Sequence, residues 1–197
     1  QNSPALSFVP GPLHRIDRFT SGLVAFSWDL EGALWFSEQM QNHQIKKEYL
    51  GIIKGNLNNS QIWKDEIAPS KQNHGDFYTM EVCKEKNADS KTAITEVFPL
   101  EHGVYKGEQI TLARFSIPTG RKHQIRVQSA FHNFPLLFDS AYTKSDFLQK
   151  QFFLHAYKIK FSKNNLKLPS EIIAPLPVAF KNFLLQSEIH FQLEKTT

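Results

Sequence analysis

His14-Arg15-Ile16-Asp17-Arg18-Phe19-Thr20-Ser21-Gly22 is a charged loop that runs straight into an apolar stretch, Gly22-Leu23-Val24-Ala25-Phe26-Ser27. Residues 22–27 read as a short strand buried on both faces, which puts the loop at the mouth of a sheet. One carboxylate, Asp17, stands between the guanidiniums of Arg15 and Arg18, and neighbouring cations lower a carboxyl pKa and keep it ionised. An ionised carboxylate in that place can serve as a nucleophile toward a sugar or base carbon. Composition alone favours a plainer reading, a solvated loop in which Arg15 and Arg18 neutralise Asp17.

Outward from this loop the chain reads as strand-rich with a few helices. Residues 29–42 place Leu30, Ala33, Leu34 and Met40 near helical spacing, with Asp29 as N-cap. Tyr49 to Lys54 is a strand, and residues 55–76, rich in Asn, Lys and Gly, read as a long loop or insertion. Further strands are expected at 77–82, 92–98 and 109–117. In the last, Ile110 and Leu112 share one parity while Phe115 and Ile117 share the other, which predicts a bulge near Ala113 or Arg114. Residues 121–132 read as a helix, and 152–161 as a strand with His155, Tyr157, Ile159 and Phe161 on one face. A last amphipathic helix follows Pro177. Successive strands with few helices between them predict an α+β fold around a largely antiparallel sheet, built as one domain over residues 1–197.

The 197 residues carry 41% apolar and 21% charged side chains, which excludes disordered and fibrous classes. No apolar run nears the roughly 18 residues a membrane span needs, and no secretory signal is visible in the first ten residues. Cys83 is the single cysteine, so no internal disulfide forms, and a reducing cytoplasm is the expected setting. The net charge of +4 permits an anionic partner. Of the 17 Phe several fall in strand-like runs and point first to core packing.

The sequence has no Gly-rich phosphate loop, no G-x-S-x-G elbow and no H-E-x-x-H. No His spacing with Cys83 suits zinc, so no metal site is expected. A second cluster does stand out: Thr119-Gly120-Arg121-Lys122-His123-Gln124-Ile125-Arg126-Val127. Arg121 and Lys122 at a helix N-terminus oppose the helix dipole unless an anion sits there, and phosphate is the obvious candidate. A basic helix face turned to water is the equal alternative.

Taken together the two clusters are more specific than either. His14 to Leu23 resembles the H-R-L-D-x-x-T-S-G-L motif of the RluA-type pseudouridine synthases, and Gly120 to Val127 resembles that family's G-R-x-H-Q-I-R-V motif. Lys47-Glu48-Tyr49 is similar to its K-x-Y strand. Pro135 with the stretch from Asp139 to Tyr142 is similar to its P-x-x-G-D-x-x-Y turn. Leu154-His155-Ala156 and Ala174-Pro175-Leu176-Pro177 match its L-H-A and A-P-L-P segments. The segments occur in the family's order, from about Leu13 to the last helix.

The resemblance implies isomerisation of a uridine already within RNA, ribosomal or transfer, by breaking the N1–C1′ bond and rejoining the base through C5, with no cofactor and no metal. It implies Asp17 as the catalytic carboxylate, with Arg126 paired to it. Tyr49 would stack on the target base and accept the C5 proton late in the reaction, and Ile125 would pack on the uracil ring. Arg15 would fill the space vacated by the extruded base. Lys47, Arg121 and Lys122 would contact phosphate, and His123 and Gln124 would either contact RNA or cap the helix. Outside the family context, Tyr49 and Ile125 read as plain core residues, and His155 reads as a satisfied sheet histidine. A monomer is expected. The implied fold is the pseudouridine synthase fold, a curved, mainly antiparallel sheet flanked by helices and loops.

Three departures accompany the resemblance. The family's K-P-x-G strand normally precedes the Asp loop, and none of the 13 residues before His14 shows it, so a trimmed chain or a sheet lacking one piece is expected. The S4-type RNA-binding domain of some members is not found in these residues. Phe138 stands where the family usually has Gly, and Gln128 where it often has His. The rival reading is a catalytically silent RNA-binding or RNA-folding protein on the same scaffold, which intact Asp17, Tyr49 and Arg126 argue against.

Overall fold

Apolar side chains on both faces of the central strands build a sheet that is covered front and back. The computed structural model describes residues 8–70, 79–143, 151–162, 166 and 168–191. At the centre β4 (Ile45–Lys54) pairs with β8 (Glu108–Ser116), which pairs with β7 (Lys91–Tyr105). On one side β9 (Leu154–Phe161) and β10 (Glu171–Ile173) complete the sheet; on the other side β5 (Gln61–Pro69) and β6 (Met80–Cys83) extend it. β1 (Gly11–Pro12) and β3 (Phe26–Ser27) form a small separate ribbon. Every pairing is antiparallel except that of β2 (Ser21–Gly22) with β9. Three helices, α1 (Leu30–Gln41), α2 (Gln124–Phe131) and α3 (Val178–Gln186), make the fold α+β as expected.

The front core joins Tyr49, Ile53, Trp63, Ala113 and Phe115 with Ile125 of α2. The back core sets Leu50, Ile52, Ile110 and Leu112 under Phe180, Phe183 and Leu184 of α3. Two-sided burial corrects the expected bulge in β8. Its register with β4 runs unbroken from Ile110 to Ser116, and its two apolar parities serve the two cores. The irregularity lies instead in β7, between Pro99 and Glu101.

Four other expectations change. The single strand over 22–27 is absent: the segment splits between β2 and β3, and Phe26 is 61% exposed. In α1 the N-cap is as read, with Gly32 N–H donating to Asp29 Oδ1 at 2.7 Å, but the buried face is Trp35, Phe36 and Gln39 while Leu30 and Leu34 are exposed. The loop expected over 55–76 contains β5, whose charged residues Lys64, Asp65 and Glu66 hide an alternation that buries only Trp63, Ile67 and Ala68; residues 71–76 lie outside the described residues, as do 77–78 of the strand expected at 77–82. In β9 the pairing skips from Ala156 to Lys158, so Tyr157 bulges. Tyr157 therefore packs in the back core, whereas Ile159 and Phe161 pack with Trp35 and Phe36 of α1.

Phe138 has φ 68°, a left-handed conformation that costs an ordinary residue about 1–2 kcal/mol. Its ring is buried against Tyr105, Phe153 and Phe183, which offsets that strain. Gln128, fully buried, accepts from Thr95 Oγ1 at 2.6 Å and donates to Asp65 Oδ2 at 2.6 Å, tying α2 to β5 and β7.

Candidate active site

The Asp loop is held at both ends. Leu13 N–H donates to Ala25 O, Ala25 N–H donates to His14 Nε2, and Thr20 N–H closes a turn on Asp17 O. Ile16 and Phe19 pack against the front core. β2 then runs along β9, where Ser21 Oγ lies 2.8 Å from His155 Nδ1. Gly22 is required at this crossing: it has φ 108°, and a Cβ there would stand 2.2 Å from Ala156 O. His155, 2% exposed and bonded on both sides, is the satisfied sheet histidine expected.

This anchoring sets Asp17 beside a cavity of about 350 Å³, inside the range of small-ligand sites. The other wall comes from the segment leading into α2 and from β4. Arg15, Lys47, Tyr49, Arg121, Lys122, His123, Gln124 and Ile125 all line it together with Asp17. Nine of the ten residues read from the sequence as site residues thus share one cavity, and the tenth, Arg126, touches Asp17 from behind it.

Arg126 lies within ion-pair reach of Asp17 and holds Asp139 more closely. Its guanidinium donates twice to Asp139, from Nε at 2.7 Å and from Nη2 at 2.8 Å, and Nη1 stands 3.8 Å from Asp17 Oδ2. The guanidinium is flanked by the rings of Phe152, at 4.5 Å, and Tyr142, at 5.0 Å. Burial works to lower the Arg126 pKa, yet the hydrogen bonds and charge of Asp139, with Asp17, hold it above its ordinary value. Asp139 and Tyr142 are site residues without an assigned role in the sequence reading. Their signal was the turn similar to P-x-x-G-D-x-x-Y.

Asp17 itself corrects another expectation. Its pKa lies above the ordinary carboxyl value because burial outweighs the lowering by Arg126 and Arg15. Arg18 turns away and covers the ring of Phe19 at 5.4 Å. Burial and the Asp17 charge push the Tyr49 phenol up to about 12, so it stays protonated at neutral pH. Burial lowers the Lys47 pKa; this lysine is 6% exposed, with its Nζ beside Gly120.

The loop before α2 places the two residues whose readings were left open, His123 and Gln124. Gln124 is committed inside the protein: Nε2 donates to Ile94 O and Thr95 Oγ1, and Oε1 accepts from Thr119 Oγ1 and Arg121 N–H. Its side chain therefore braces the loop. His123 makes no capping hydrogen bond; its Nδ1 lies 2.8 Å from Tyr142 Oη, and its Nε2 lies 3.9 Å from Asp17 Oδ1. Arg121 is exposed and donates from Nε to Thr92 O at 3.1 Å. Among the described residues no group of three His, Cys, Asp or Glu side chains is placed to hold a metal ion.

Known proteins are similar to this chain in sequence and in fold. The chain is 32% identical over 182 residues to ribosomal large subunit pseudouridine synthase D of Borreliella burgdorferi, covering 89% of this chain and 51% of that protein. It is 33% identical over 147 residues to tRNA pseudouridine synthase C of Haemophilus ducreyi, covering 66% and 54%. The chain thus spans about half the length of the curated relatives it matches. The fold is similar to that of human RNA pseudouridylate synthase domain containing 1, with a TM-score of 0.74 at 22% identity over 86% of this chain and 70% of that one. The sequence profile described as RNA pseudouridylate synthase matches residues 1–131, which include the Asp loop, β4 and α2. With its two charged segments lining one cleft and the profile matching most of its length, the chain belongs to the RNA pseudouridylate synthase family.

Proposed function

We propose that this chain isomerises uridine residues of structured RNA, ribosomal or transfer, to pseudouridine. The observation that carries the reading is Asp17, a half-buried carboxylate beside a cavity of about 350 Å³ that is also lined by Tyr49, Ile125 and four cationic side chains, Arg15, Lys47, Arg121 and Lys122. A uridine stacked in RNA is out of reach of Asp17, so the nucleotide enters the cavity extruded, at a cost of a few kcal/mol in lost stacking. Its uracil lies between Tyr49 and Ile125, and Arg15, exposed at the rim, takes the place the base has left.

In the reaction the C1′–N1 bond breaks and a C1′–C5 bond forms. Asp17 assists by stabilising or bonding the sugar carbon, N1 takes up a proton, and the C5 hydrogen leaves to solvent. Tyr49 is protonated at rest partly because Asp17 is negative. When Asp17 bonds carbon that charge is gone, the phenol gives up its own hydrogen to solvent more readily, and the phenolate takes the C5 proton late in the sequence. Lys47, Arg121 and Lys122 hold the strand's phosphates.

Tritium released from RNA labelled at uracil C5 reports the last step directly. The chain is expected to release it from ribosomal or transfer RNA, and Asp17→Ala to release none while binding RNA with nearly unchanged affinity. Equal release from the variant would sink the assignment of Asp17.

A further inference from the structure

His123 has φ 54°, a left-handed conformation that a non-glycine residue keeps only when its surroundings impose it, and such residues cluster at active sites. The residue gives α2 no side-chain cap, so the strain serves something other than the helix. Its imidazole is placed by Tyr142, whose Oη accepts Met80 N–H at 2.9 Å and lies 2.8 Å from His123 Nδ1. A phenol has one hydrogen to donate. Met80 already donates to the oxygen, and when the phenol hydrogen goes to Nδ1 the neutral ring carries its own hydrogen on Nε2. Nε2 faces Asp17 Oδ1 at 3.9 Å while Arg126 Nη1 faces Oδ2 at 3.8 Å. The two oxygens of the carboxylate therefore meet two different donors, one neutral and one charged.

Building on the pseudouridine synthase reading above, we infer that His123 is a positioning residue for Asp17: Tyr142 holds it as the Nε2–H tautomer, and that N–H closes onto Oδ1 when a base fills the cleft. A separation of 3.9 Å is too long for a hydrogen bond, and catalytic contacts of this length tighten when substrate binds. Burial, with the charges of Arg126, Lys122 and Arg15, pushes the His123 pKa down to about 3, so the donor brings no charge into the cleft. The other groups that bear on Asp17 are Arg15 of its own loop, Lys122 and Arg126 around α2, Asp139 of the following turn, and Tyr49 of β4. Arg126 donates from Nε and Nη2 to Asp139 and turns Nη1 to Oδ2, and His123 Nε2 faces the other oxygen, Oδ1, so the pair together fix the carboxylate's rotation.

The test combines imidazole 15N spectra of the whole labelled chain with turnover by tritium release. The His123 ring is expected as the Nε2–H tautomer, and Tyr142→Phe is expected to mix the two tautomers. An Nδ1–H ring in the unaltered chain would overturn the inference whatever the chain does to RNA. In turnover, His123→Ala is expected to lower kcat on the order of 10²-fold with KM little changed, and to move the acid limb of kcat/KM to higher pH, because ionised Asp17 has lost a donor. His123→Gln, whose amide nitrogen reaches the place of Nε2, is expected to recover part of kcat. A rise in KM alone would overturn the positioning role in favour of an RNA contact. No tritium release from the unaltered chain would overturn the function reading and the catalytic half of this one, while the tautomer is still decided by the spectrum.

Discussion

Arg126 is gripped by Asp139 through two hydrogen bonds of 2.7 and 2.8 Å, at side-chain exposures of 9% and 2%. That grip fixes the face Arg126 turns toward Asp17. It makes the arginine a rigid neighbour of the reacting carboxylate, since Nε and Nη2 are fixed on Asp139 and Nη1 is left to face Asp17.

Asp139→Asn keeps the volume and removes the charge, leaving a buried guanidinium short of its close partner. Breaking a buried pair from one side costs about 3–5 kcal/mol, and a loss of that order is expected in denaturant unfolding. Turnover is expected to fall with it, as Arg126 redirects toward Asp17. Unchanged stability would show that the pair does not hold the arginine.

Asp17 has a folded-state pKa above its ordinary value, chiefly through burial. The folded state then binds a proton more readily than the unfolded chain, so stability falls as pH rises from the ordinary carboxyl value of 3.8 through the folded pKa, and the loss persists at neutral pH. Asp17→Asn is expected to raise the Tm at pH 7, to lose that advantage on acidification toward pH 3.8, and to abolish turnover. A lower Tm at pH 7 would mean that attraction to Arg126 outweighs desolvation.

Arg121 is exposed on the cleft wall, while Arg126 is buried behind it. Arg121→Ala is expected to weaken RNA binding across sequences and to reduce the slope of log affinity against log salt by about 1. An unchanged slope with a reduced kcat would move Arg121 out of phosphate binding.

Phe138→Gly relieves a left-handed strain of about 1–2 kcal/mol but empties an aromatic cluster, where loss of a buried Phe costs about 3–5 kcal/mol. Chemical denaturation is expected to show a net loss of about 1–4 kcal/mol. A gain would mean that Tyr105, Phe153 and Phe183 collapse into the space.

Features set by near neighbours could be read along the chain. Asp29 caps α1 because its acceptor sits three residues from Gly32 N–H, and the apolar run of β4 and the start of α3 after Pro177 follow from spacing alone. The two parities of β8 were visible, but a sheet covered on both faces and a bulged strand leave similar patterns. Only the presence of α2 in front and α3 behind separates them. β5 escaped because its charged residues, Lys64, Asp65 and Glu66, mask a pattern in which three residues are buried.

The site divides in the same way. The order and identity of Asp17, Tyr49, Lys47 and the Gly120 to Arg126 segment are written in the chain, because the chemistry needs those residue types wherever the fold puts them. The arginine's close partner, the direction of the Asp17 pKa and the side of α1 that turns inward were decided by the folded molecule alone. Hydrogen bonds between residues 13 positions apart and the removal of a carboxylate from water depend on which surfaces meet, and no local pattern of residues encodes that meeting.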